Sequence, residues 1–300
     1  MSILISGSIA FDNILSLSSR FADHILPEQI DKLSLSLHAP HMRSDFGGCA
    51  GNIAYAVRQL GSTPVPLATV GKDSAPYLQR LQALGISTDH VAVLPDCYTA
   101  QCTIFTDAQQ NQITAFHPGA MGLAHQSAVP VDGIQLAIVS PNGKEAMQTH
   151  ADQLHAAGVD FVFDPGQAMP LFDGAELRRF IDMASWLTLN DYEAHMLTER
   201  VGMDRAALSR EVRGLVVTLG EQGCEVWQGG QRDIVPAVPP QQAVDPTGCG
   251  DAWRGALLHG LHQGWDLLRC ARLGNYLGSV KVAHRGPQNY QLDPEAVARY

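Results

Sequence analysis

Short runs of almost unbroken apolar residues recur along the chain at 3–9, 65–70, 136–139, 161–163, 186–189 and 215–219. A strand with one wet face carries polar residues at alternate positions, so runs without alternation predict strands covered on both faces. Segments of helical spacing lie between them at 52–60, 75–84, 144–157 and 175–184, and two more follow at 251–262 and 267–282. Strand, helix and strand repeated in this order predict a mostly parallel sheet with helices on both sides. The first run has no basic segment before it and is broken by Gly7, so it reads as a buried strand, not a signal peptide. No apolar stretch is long enough for a transmembrane helix.

Two regions depart from this rhythm. Residues 15–45 contain the alternation Leu33-Ser34-Leu35-Ser36-Leu37, and residues 100–116 alternate around 107–111 as a hairpin would. They read either as a small β lid over the carboxyl ends of the central strands, where α/β proteins bind ligands, or as an edge extension of the main sheet.

Composition narrows the partners. Twenty Lys and Arg against thirty Asp and Glu leave a formal net charge of −10. Such a chain is poorly suited to nucleic acid or an anionic membrane surface, and an anionic substrate needs a local electropositive pocket. The six cysteines, at 49, 97, 102, 224, 249 and 270, form no CxxC pair. They suggest neither a structural zinc site nor a disulfide framework, and reduced thiols fit a cytoplasmic protein. With 300 residues and 45% apolar content, the chain can bury the core of one large α/β domain or two ordinary ones.

The most chemically pointed segment is Asp245-Pro246-Thr247-Gly248-Cys249-Gly250-Asp251, which leads into a helical pattern. A helix N-terminus offers unpaired N–H groups and the positive end of the dipole, and the glycines let an anion approach them. Asp251 reads either as a dipole-favourable first-turn acid or as a base beside the anion. No GxxxxGK[ST] occurs, because Gly71-Lys72 and Gly143-Lys144 lack the upstream Gly and the following Ser or Thr. Gly7 to Asp12 lacks the GxGxxG spacing of dinucleotide-binding folds.

The 245–251 segment resembles the DTxGAGD signature of the ribokinase-like (PfkB) carbohydrate and nucleoside kinases, with Cys249 in place of the usual Ala. Three further elements are similar to that family's. They are Gly47-Gly48-Cys49-Ala50-Gly51-Asn52, the NxxE element Asn190 to Glu193, and the strand-end loop Val217-Thr218-Leu219-Gly220-Glu221-Gln222-Gly223. They occur in the family's order and span essentially the whole chain. The resemblance implies a single three-layer α/β/α domain over residues 1–300, with lid segments at about 13–46 and 97–118. It implies transfer of the γ-phosphoryl group of ATP with Mg²⁺. Asp251 would be the base, and backbone at Gly248, Cys249 and Gly250 the anion hole. Asn190 and Glu193 would organise Mg²⁺ through water; on spacing alone they are a helix cap and a first-turn acid. Thr218, Gly220 and Gly223 would meet ATP, and Asp12, Gly47, Gly48 and Asn52 the acceptor's hydroxyls. Asp245 and Thr247, with backbone from 283–290, would form a monovalent cation site for K⁺.

Among such kinases the closest likeness is to adenosine and nucleoside kinases of bacteria and archaea. It rests on the stretch around Asn52, on 24–28 and on 111–121. Phe116, Met121, Leu35 and Leu37 are candidates for an apolar slot for the base. Ser140-Pro141-Asn142-Gly143 stands where the family's sugar enzymes often carry a carboxylate, against a ribokinase or fructokinase. The expected acceptor is therefore a nucleoside 5′-hydroxyl, adenosine first. A sugar kinase and a non-catalytic nucleoside sensor are the alternatives, and the chain is expected to be a monomer or a homodimer.

Overall fold

The computed structural model describes residues 2–25 and 31–300. Its main sheet has nine strands in the order β13 (Gln231–Val235), β12 (Cys224–Gln228), β11 (Gly214–Thr218), β10 (Trp186–Asn190), β9 (Asp160–Phe163), β8 (Ile134–Val139), β1 (Ser2–Ser6), β4 (Thr63–Gly71), β5 (Val91–Leu94). All neighbours are parallel except the β11–β12 and β12–β13 pairs, which form an antiparallel edge. Two-sided burial is visible residue by residue. In β1, Ile3 and Ile5 pack into one apolar cluster and Leu4 into another; in β11, Val216 faces the first cluster and Leu215 and Val217 the second.

The first cluster is closed by α1 (Cys49–Gln59), α2 (Ala75–Ala83), α7 (Cys249–His262) and α8 (Leu267–Val282). The second is closed by α3 (Lys144–Ala156), α4 (Gly174–Met183), α5 (Asp191–Val201) and α6 (Arg205–Glu211). The short α9 (Pro294–Val297) packs beside α1 and α8. The result is helix, sheet, helix, as the repeated strand–helix pattern implies. No helix of the described residues is long and apolar enough to cross a membrane.

A second sheet has the order β3 (His41–Gly47), β2 (Ala10–Ser16), β6 (Ala100–Thr106), β7 (Gln112–His117). It is separate from the main sheet, so the edge-extension reading is excluded. The expected hairpin is β6–β7, closed by the Asp107 carboxylate, which accepts from Gln109 N at 2.8 Å and Asn111 N at 2.9 Å. Phe11 on β2, Phe46 on β3 and Tyr77 on α2 meet with ring centroids 5.0–6.1 Å apart, anchoring this sheet to the main body.

Two expectations are corrected. The alternation at 33–37 lies in no strand: Leu33 is exposed, and β3 begins only at His41. The first run ends as a strand at Ser6, because the chain then turns toward β2 in the second sheet. Residues 26–28 of the 24–28 stretch lie outside the described residues.

Candidate active site

A cavity of about 960 Å³ opens where the carboxyl ends of β1, β8, β9, β10 and β11 meet the second sheet. The strand order switches at β1, which has β4 on one side and β8 on the other. Open α/β sheets take ligands at such a crevice, and the size suits them.

Asp251 stands in the first turn of α7, at the cavity wall. Gly248 is the N-cap, at φ 80° and ψ 5°; an added Cβ would also meet Pro287 Cβ at 2.5 Å, so glycine is required twice over. The N–H groups of Gly248, Gly250 and Asp251 find no acceptor among the described residues. Cys249 differs from expectation: its N–H donates to Pro246 O at 3.1 Å, and its thiol points toward Asp245 O instead of lining the cavity. Of the expected donors, the N–H groups at Gly248 and Gly250 are thus open, joined by that of Asp251, while that of Cys249 is taken.

Asn52, in the first turns of α1, donates from Nδ2 to Asp251 Oδ2 at 2.8 Å. Its Oδ1 accepts from Gln288 Nε2 at 3.0 Å, and that same amide nitrogen lies 2.7 Å from Tyr77 Oη. The Tyr77 hydroxyl donates to Gly47 O at 2.7 Å. This buried relay fixes which way Asn52 points and so how it holds the carboxylate. Burial raises the Asp251 pKa above the ordinary carboxylate value, while the Asn52 hydrogen bond and the Arg254 charge oppose it.

One turn along α7, Arg254 grips Asp164 through Nε at 2.6 Å and Nη2 at 2.8 Å. Its Nη1 donates to Gly250 O at 3.3 Å, and Nη2 lies 3.7 Å from Glu193 Oε2. Both partners of the bidentate pair are buried. Burial works against the arginine's charge, but Asp164 outweighs it and raises the Arg254 pKa. Arg254 thus ties the start of α7 to the end of β9 and the start of α5.

Asn190 and Glu193 form a capping box on α5. Asn190 Oδ1 accepts from Glu193 N, and Glu193 Oε2 accepts from Asn190 N, each at 2.8 Å. The helix-cap reading holds, yet both residues also line the cavity. Burial raises the Glu193 pKa, Asp164 adds to it, and Arg254 opposes. Among the described residues no three His, Cys, Asp or Glu gather to hold a metal ion. The site therefore fits magnesium only where phosphate oxygens and waters supply most ligands, with Glu193 facing them. Thr218 and Gly220 line the same side. Gly223 does not line it; a Cβ there would run into Val235 O, so its lack of a side chain serves the packing of β13.

Asp12, Gly48, Asn52, Phe116 and Met121 also line the cavity. Gly47 sits behind them, where a Cβ would strike the Asp12 carboxylate. Of the four candidates for an apolar slot, Phe116 and Met121 line the cavity and Leu35 and Leu37 do not. Ser140 is taken internally, donating to Ser6 O at 2.8 Å. Asn142 is 3% exposed; its Oδ1 accepts from Gly143 N at 2.9 Å, and its Nδ2 has no partner among the described residues. Asn142 thus presents a neutral donor just after β8.

Asp12 faces Asp45 across the β2–β3 pair. Burial first, then Asp45 and Asp251, push its pKa from 3.8 up to about 7, against the opposing Arg43. Between those values the folded chain holds a proton that the unfolded chain has released. This contribution favours folding at low pH and is lost as pH rises through about 7. Asp12→Asn should remove that slope. Comparing thermal midpoints of wild type and variant from about pH 5 to about pH 8 tests it, and parallel curves would rule the assignment out.

The expected monovalent cation site does not fit as drawn. The Asp245 carboxylate accepts from Thr247 N and Gly286 N at 2.9 Å each and from Arg43 Nη2 at 3.2 Å. Burial opposes its charge, but those amides and the nearby Lys281 bring its pKa down to about 2. The Asp245 carbonyl is taken by Lys281 Nζ at 2.6 Å.

The model of the pfkB family of carbohydrate kinases matches residues 12–294. The chain belongs to that family. It is 45% identical to the nucleoside kinase of Burkholderia thailandensis, solved in complex with inosine, with a TM-score of 0.88 over 99% of this chain and 96% of that one. That protein has also been solved in complex with ADP-inosine. The Methanocaldococcus jannaschii nucleoside kinase, an archaeal member of the ribokinase family, shares 25% identity and a TM-score of 0.90 over 99% and 97% of the two chains. The nucleoside kinase of Methanothermobacter thermautotrophicus is 27% identical over 306 residues, 99% of this chain and 95% of that protein. The fold of this pfkB-family chain is ribokinase-like. Sequence reasoning missed Asp164, Gln167 and Arg254, all of which line the cavity. A signal existed for the first: Asp164 directly follows an apolar strand and precedes Pro165-Gly166.

Proposed function

We propose that the chain transfers the γ-phosphoryl group of ATP to the 5′-hydroxyl of a nucleoside, with adenosine the first acceptor to be tried and inosine beside it. One observation carries the reading: Asp251, held by Asn52, shares a cavity with free helix-start N–H groups on one side and the Asp12–Phe116 wall on the other. The Burkholderia relative's complexes with inosine and ADP-inosine support it.

Asp12 would bind the ribose hydroxyls, and Phe116 and Met121 would flank the base. The 5′-hydroxyl is then left toward Asp251. Asp251 takes its proton as the oxygen bonds to the γ-phosphorus and the bond from phosphorus to the β–γ bridging oxygen breaks, releasing ADP. The raised pKa of Asp251 makes it a stronger base while burial excludes competing water. The N–H groups of Gly248, Gly250 and Asp251 stabilise the equatorial charge of the moving phosphoryl. Magnesium, when bound, neutralises the phosphate oxygens; Glu193 and Asn190 would orient its waters. Thr218 and Gly220 would lie along the donor nucleotide.

The test is a panel of nucleosides and sugars with ATP and Mg²⁺, read by product mass. Phosphorylation of a nucleoside is expected. Phosphorylation of ribose or fructose alone would establish a sugar kinase, and nucleoside binding without any product would establish a sensor.

A further inference from the structure

We infer that Lys281 is a tethered replacement for the monovalent cation: its ammonium group supplies, from within the chain, the charge that K⁺ would otherwise bring beneath the anion-hole loop. Lys281 lies in the last turn of α8 and is fully buried. A buried ammonium must be satisfied by acceptors. Its Nζ donates to two backbone carbonyls, Asp245 O at 2.6 Å and His284 O at 3.2 Å. These come from the two loops, 244–248 and 283–290, between which the cation was expected. Backbone carbonyls are also the ligands that a potassium ion takes. An ammonium and a potassium ion carry the same charge, so one position serves only one of them.

The surroundings are built to hold this arrangement. Val244 N and Asp245 N both donate to Val282 O, at 2.8 and 3.0 Å, pinning the loop to the residue after Lys281. Gly286 N closes the second loop onto the Asp245 carboxylate. Burial lowers the Lys281 pKa from 10.5, and Cys249 and Asp245 act against that fall. The bland alternative is a lysine that merely caps the carbonyls at the end of α8. Such a cap has no reason to govern the response to potassium. Lys281 touches no expected substrate, so it is a positioning residue, acting through the 245–250 turn.

The test compares KCl with tetramethylammonium chloride at equal ionic strength. Wild-type thermal midpoint and turnover are expected to be the same in both salts. Lys281→Ala opens a hole lined by the same carbonyls. Its turnover should fall roughly tenfold, less than the loss of a direct oxyanion donor, and KCl but not tetramethylammonium should raise both midpoint and turnover. Lys281→Met fills the hole without charge and should show the loss without the rescue. A K⁺-specific rise in the wild-type midpoint or turnover overturns the inference, as does a Lys281→Ala variant indifferent to K⁺. If that variant does not fold, the wild-type comparison decides. Only the turnover arm rests on the kinase reading. The midpoints need neither ATP nor acceptor, so a chain that phosphorylates nothing sinks that reading and leaves this test standing.

Discussion

Asp251→Asn is expected to fold, to bind nucleoside with a nearly unchanged KM, and to turn over roughly 10²–10⁴-fold more slowly, the range of a lost general base. The asparagine keeps an oxygen for Asn52 Nδ2, so the 2.8 Å contact at this position can survive. Because burying the carboxylate is unfavourable, the thermal midpoint should equal or exceed that of wild type. The KM and kcat split matters: a purely structural role would move both together. Turnover within a few fold of wild type would remove Asp251 from the role of base.

The largest stability effect should come from Arg254. Arg254→Met leaves Asp164 with its carboxylate 2% exposed and without its cation. Breaking one side of a buried pair costs about 3–5 kcal/mol, because an uncompensated charge remains inside. The double variant Arg254→Met with Asp164→Leu removes both charges and should recover most of that loss. Urea midpoints of the two variants check this. A single variant within about 1 kcal/mol of wild type would mean that Asp164 finds another partner or takes up a proton. Turnover should stay low in the double variant, since Glu193 and Gly250 O have both lost the same guanidinium.

Much of the architecture was legible because burial on two faces writes itself into sequence as unbroken apolar runs. Residues 65–70, 136–139 and 186–189 all lie inside strands, and helices such as 75–84 and 267–282 fall within a residue of the observed ends. The antiparallel edge was not legible. β13, Gln231–Val235, is exposed at four of its five positions and has no apolar signature. The 33–37 alternation misled because period-two patterning shows only that a strand is possible; here no partner strand receives it. At the site, the expected Gly248, Gly250, Asp251 and Glu193 do meet in one cavity, and their glycine and carboxylate signals are local. The pairing of Arg254 with Asp164 was not legible, because the two lie 90 positions apart and Arg254 is not unusual in its own segment. Cys249 shows the same limit at short range: its N–H is spent on Pro246 by a turn that no composition rule specifies. Lys281 reads in sequence as one more helix-end lysine, and only the meeting of two loops gives it a role.

The division of the cavity has a consequence for how such a chain can diversify. The cavity is lined by β2, β7, α1 and the residues just after β7, all before residue 122, by the segments after β8 and β9 at 141–171, and by β10, β11, α5 and α7, all after residue 185. The hydrogen bond from Asn52 to Asp251 joins the first of these groups to the last. Under the proposed function, variation before residue 122 would retune the acceptor while Asp251 and α5 stay intact, as long as Gln167, 3.6 Å from Cys49 Sγ, still fits against α1.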